Sequence, residues 1–206
     1  MKNRIVTTLL IIAGLLPIIR LFEDGVSSIL IFSVFVLVFL WKGLQHASAK
    51  LPIPLWLHFI GLGIIVGGIT QIFVQMEGFE KSFSSNPVAH FIQALTIYFW
   101  VVVAWYFMLK KYDFSAWDIF WVTGIWGVVF EAILLYGALN PLIWLFIFVV
   151  YGSFAIIPFL LTSEKFAVLV RPKPGKKNYL IIFGLLVLAL AMSNVLIFIL
   201  SKFGIR

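Results

Sequence analysis

Residues 119–139 read IFWVTGIWGVVFEAILLYGAL, an apolar run broken by one carboxylate, Glu131. The run matches the ~20 residues that a helix needs to cross the ~30 Å hydrocarbon core of a bilayer. An ionisable group at the middle of such a helix costs roughly 2.5–3.5 kcal/mol on insertion scales, so it persists only where protein or water receives it. The stretch therefore predicts a membrane-spanning helix with Glu131 turned toward a helical neighbour.

Six further apolar stretches accompany it, at residues 5–22, 26–41, 53–74, 87–109, 141–161 and 179–200. Hydrophobic residues make up 63% of the 206 positions and charged residues 11%, with a mean hydropathy of +1.14. That leaves too little polar surface to cover a water-soluble globule. Long Leu, Ile, Val and Phe runs without strand-period alternation favour helices over a barrel, because in lipid each span must satisfy its own backbone hydrogen bonds. The expected fold class is all-α, a polytopic transmembrane helix bundle of about seven spans. Residues 1–206 are expected to form one domain, in a plasma membrane of prokaryotic type. The first two stretches are the shortest, and the topology depends on their crossing. The opening MKNR with its apolar run imitates a signal peptide, but the run ends in Arg20-Leu-Phe-Glu-Asp24 without a small-x-small cleavage pattern. It is read as a retained first helix.

The formal charge of +7 invites a nucleic-acid reading, yet the basic residues fall at the ends of the apolar stretches. With the N-terminus cytoplasmic, the inner side holds eleven: Lys2, Arg4, Lys42, Lys50, Lys110, Lys111, Lys165, Arg171, Lys173, Lys176 and Lys177. The outer side keeps four, Arg20, Lys81, Lys202 and Arg206. That asymmetry fits the positive-inside rule and leaves a nucleic-acid partner without separate support. The longest connection, 162–178, carries Arg171, Lys173, Lys176 and Lys177 among prolines and a glycine, which predict an irregular segment able to meet anionic lipid headgroups. Its plainer role is to set topology.

Gly63 and Gly67 lie one turn apart and form a small face suited to close helix contact, with dimerisation as an alternative use. Gly124, Gly127 and Glu131, at i, i+3 and i+7, form a second stripe that should face protein. Several of the eight tryptophans fall near helix ends, as interfacial anchors do, whereas Trp100 and Trp126 lie deeper.

With 1.5 Å of rise per residue, Glu131 lies about 18 Å above the inner edge of an untilted helix. Entering from the outer side at Pro87, His90 falls about 5 Å deep, Gln93 about 9 Å and Tyr98 about 16 Å. Gln71 and Gln75 lie near the outer end of the third stretch, Ser193 and Asn194 near that of the seventh, and Tyr151 and Ser153 near mid-depth. These positions predict an outward-facing polar cavity floored by Glu131, with His90, Gln93, Gln71, Asn194 and Tyr98 as its ligand- or proton-binding side chains.

Absences narrow the chemistry. There is no cysteine, so thiolate nucleophiles, disulfides and Cys metal sites are excluded. The three histidines are isolated and form no metal-binding motif, so no metal or cofactor is expected. No aspartate-rich motif suits magnesium diphosphate, no glycine-rich loop cradles phosphate, and no lysine lies deep in a span to form a Schiff base. The leading expectation is binding or translocation of a small solute or proton, with Glu131 as the titratable group. The alternatives are a lipid- or isoprenoid-modifying enzyme using Glu131 as general acid, and a non-catalytic membrane subunit.

Overall fold

The computed structural model describes residues 26–76, 87–135 and 141–202. The expected first helix, at 5–22, lies outside them. Seven α-helices make up the described chain: α1 (Val26–Leu40), α2 (Lys42–Ala49), α3 (Leu55–Met76), α4 (Pro87–Lys111), α5 (Ala116–Gly127), α6 (Pro141–Ala167) and α7 (Lys176–Lys202). A π-helical segment, Val128–Leu135, continues α5. The fold is all-α, as the sequence predicts, and four of these helices (α3, α4, α6 and α7) are long and apolar enough to cross a membrane.

Small residues set the helix contacts. A Cβ on Gly124 would lie 2.6 Å from the Phe148 ring, and one on Gly127 would lie 2.5 Å from Tyr151. Gly152 returns the contact from α6, where a Cβ would meet the Phe120 ring at 2.7 Å. The α5–α6 interface is thus reciprocal, with aromatic rings from each helix lying over glycines of the other. Gly63 and Gly67 do the same for α3 against Val102 and Tyr98 of α4. This face is consumed within the chain, which removes it as a dimerisation surface.

One apolar core links the helices, with Phe35, Val101, Trp105, Ile119, Phe154, Phe166 and Ile182 all buried. Helix α6 is its axis: 67% of its span is buried, against 22% for α7, which lies at the periphery. Sequential helices pack as neighbours in α3–α4 and α5–α6. Helix α4, however, packs chiefly on α3 and α7, and α1 packs on α6.

Two boundaries differ from the sequence reading. Residues 26–41 do not continue straight into a loop: the chain bends by 82° at Trp41 and forms α2. The bend leaves the last carbonyls of α1 without helical partners. Gln45 supplies them, its Nε2 donating to Val38 O at 2.7 Å and to Phe39 O at 3.3 Å. The long connection is also shorter than expected. Helix α6 runs on to Ala167 and α7 begins at Lys176, so only 168–175, with Pro172 and Pro174, is irregular.

Candidate functional site

Helix α5 starts with a capping box, in which Ser115 Oγ accepts from Asp118 N at 3.2 Å and Asp118 Oδ2 accepts from Ser115 N at 2.7 Å. Its glycines then hold it against α6 up to Gly127. Immediately afterwards the hydrogen bonding widens to the π form, and Glu131 lies in the first turn of that segment, half-buried. Short π segments inside α-helices recur at functional sites, where the wider turn re-aims side chains. The expected straight stripe of Gly124, Gly127 and Glu131 therefore changes helix type before it reaches the carboxylate.

Counting from the helix ends that bear the lysines, Glu131 lies no more than about 22 Å up, Tyr98 and Ser153 about 20 Å, and Gln71 and Tyr151 about 24 Å. At this level Tyr98 Oη donates to Gln71 Oε1 at 3.4 Å, both side chains being buried. Tyr98 also packs on Phe154 of α6 with ring centroids 4.7 Å apart. Trp126, 2% exposed, sets its ring 5.5 Å from Tyr151. Its Nε1 is buried without a hydrogen-bond partner among the described residues, as is Ser153 Oγ. Buried donors are nearly always satisfied, so two orphans at a depth similar to that of Glu131 mark a polar level within an apolar bundle.

The other predicted site residues are distributed unevenly. Gln93 is half-buried on α4, and its main-chain carbonyl accepts from Thr96 at 2.7 Å. Asn194 is exposed on the outer side of α7, whereas its neighbour Ser193 is buried and donates to Ala189 O of its own helix at 2.8 Å. His90 belongs to α4, and its side chain lies outside the described residues, as does that of Gln75. Thr123 of α5 is buried and accepts from Trp105 Nε1 at 2.8 Å. No cluster of metal-ligating side chains occurs among the described residues.

Among the described residues the densest polar network lies at the lysine-bearing end, which reads in the sequence only as a count of charges. Arg171, its side chain 6% exposed, donates to Leu109 O and Tyr112 O and pairs with Asp113 at 3.1 Å. It thereby caps the C-terminus of α4, where a cation also meets the negative end of the helix dipole. Burial pushes the guanidinium below its ordinary pKa while Asp113 pulls it back up, and arginine stays charged throughout. Lys173 binds the second oxygen of Asp113. Lys165 Nζ donates to Leu51 O and Ile53 O, both at 2.8 Å, and grips the turn before α3. Helix α2 is attached at three points: Gln45 to α1, His46 to Glu164 of α6 at 3.0 Å, and Ser48 to His58 of α3 at 3.2 Å.

The fold and site together define a helical bundle with apolar candidate spans and an ionisable residue in a π-helical turn. The chain matches no family model, and no curated protein and no solved structure is similar to it.

Proposed function

We propose that this chain is an integral membrane bundle that binds a small polar solute or a proton at the level of Glu131 and passes it across the bilayer. The observation that carries the reading is the conjunction of a carboxyl group in a π-helical turn with Trp126 Nε1 and Ser153 Oγ, which have no hydrogen-bond partner among the described residues. An ionisable residue inside a span is costly and marks a pathway by default. The donors suit a solute bearing hydrogen-bond acceptors, and the Tyr98–Gln71 pair adds a third polar element at that depth.

The proposed orientation keeps the lysine-bearing end cytoplasmic, in a prokaryotic plasma membrane. It is supported by the gathering there of every described basic residue except Lys202, and by the exposed tryptophans Trp41, Trp56 and Trp121 close to the same helix ends. A second reading, Glu131 as general acid toward an apolar isoprenoid-like substrate entering from the bilayer, is favoured by one feature. Glu131 is only half-buried, and Ile133, two residues on, is exposed.

The test compares wild type with Glu131→Gln, matched for folding, in liposomes under a pH gradient, alongside mass spectrometry of copurifying small molecules and lipids. Flux that depends on pH and disappears in the variant supports the transport reading. A specific lipid lost from the variant without flux in either protein favours the enzyme. Identical profiles and no flux refute both.

A further inference from the structure

We propose that the corner between the C-terminus of α4 and the N-terminus of α7 is a docking surface for an anionic phospholipid headgroup, held by Lys110, Lys111, Lys176 and Lys177. The proposal rests on the helices crossing a membrane and is independent of Glu131.

The two helix ends are fixed together. Arg171 bridges the last carbonyls of α4 to Asp113, Asp113 N donates to Pro172 O at 2.9 Å, and the Phe114 ring meets Tyr179 of α7 edge-on at 5.4 Å. This clasp brings the two lysine pairs to one corner. All four are exposed, and none forms an ion pair among the described residues. The nearby carboxylates are already engaged, Asp113 by Arg171 and Lys173, and Asp118 by Ser115 and the Tyr179 hydroxyl at 3.0 Å. Among the described residues no carboxylate is left to pair with these four cations, and the only contact that one of them makes is Lys111 Nζ over the Tyr112 ring at 5.6 Å. They are therefore open to an anionic partner.

The surface around them selects a lipid. Phe107, 62% exposed, stands one turn before Lys110, and Leu180, 76% exposed, one turn after Lys177. The ammonium groups therefore lie just above a rim of exposed apolar side chains, where an acyl chain ends and its phosphate begins. A nucleic acid or an acidic protein would match the lysines but not the apolar rim. The inference also redraws the set expected from sequence: Arg171 and Lys173 serve the clasp, and Lys110 and Lys111 take their place at the surface.

The test uses the full chain in detergent, titrated with phosphatidylglycerol or phosphatidylcholine and read by native mass spectrometry and thermal shift. Wild type is expected to bind and be stabilised by phosphatidylglycerol selectively, with the preference fading as salt rises. The quadruple variant K110Q/K111Q/K176Q/K177Q is expected to bind phosphatidylglycerol on the order of tenfold more weakly or worse, while K50Q/K202Q retains wild-type affinity. Should the quadruple variant fail to fold, K176Q/K177Q and the salt dependence of wild type carry the test. Equal affinity for the two lipids, binding unchanged by the substitutions, or full competition by soluble glycerophosphate would overturn it.

Discussion

Replacing Gly124 by alanine adds one methyl group where the α5–α6 contact leaves no room for it. The new Cβ would lie 2.6 Å from the Phe148 ring and 2.9 Å from the Phe148 carbonyl oxygen, where ordinary contact begins at 3.4 Å. The ring can rotate away, but the carbonyl belongs to the α6 backbone, so the helices must part by about half an ångström along a face that Gly127 and Gly152 also hold close. Overpacking of this kind typically costs about 1–3 kcal/mol. Alanine's helix preference returns about 1 kcal/mol, leaving a net loss of up to about 2 kcal/mol. Gly61 is the internal control: a Cβ there meets nothing within 4 Å, so Gly61→Ala gains the same preference without the clash. Reversible unfolding by SDS titration in mixed micelles should rank the proteins Gly61→Ala at or above wild type, and Gly124→Ala below it. Equal stability of the two variants would refute the claim that glycine is required for close approach rather than tolerated.

Other predictions follow from single contacts. Thr123→Val should cost about 1–3 kcal/mol in the same unfolding assay, because it leaves Trp105 Nε1 buried without an acceptor, whereas Thr123→Ser should be near neutral. Asp113→Asn should destabilise by a comparable amount through the buried Arg171 guanidinium, while Lys173→Gln, at a side chain 82% exposed, should change stability by no more than about 1 kcal/mol. Asn194→Leu should alter stability by about 0.5 kcal/mol or less, and liposome flux should remain at the wild-type level, since the side chain is exposed on α7. A large flux defect in that variant would place Asn194 on the pathway with Glu131.

What could be read from the sequence was whatever periodicity and composition encode. The apolar runs yielded α3, α4, α6 and α7, and the small residues at 124 and 127 yielded the close face of α5. Helix α2 escaped because its stability comes from side chains reaching backward and across: Gln45 bonds Val38 around an 82° bend, and His46 meets Glu164 from the other end of the chain. Neither leaves a local signature. The π segment escaped for a related reason, since Val128–Leu135 is as apolar and as regular in composition as an α-helix. Of the polar residues grouped by rise per residue, the structure joins Tyr98 and Gln71 by a hydrogen bond. The sequence did not reveal which way each residue faced, and Asn194 turned outward while Ser193 turned in. The Arg171–Asp113 clasp joins residues 58 positions apart and was visible only as charge.

Helix α2 has eight residues, well short of the ~12–15 below which an isolated helix is marginal in water. It therefore exists only while docked, and its three attachments lead to three different helices. Amide hydrogen exchange across 42–49 is consequently a gauge for the whole assembly: loosening of α1, α3 or α6 removes one support and should speed exchange in α2 before any of the longer helices opens. Because the chain has no native cysteine, a single thiol at Ala47, exposed on that helix, would give the same reading by its labelling rate.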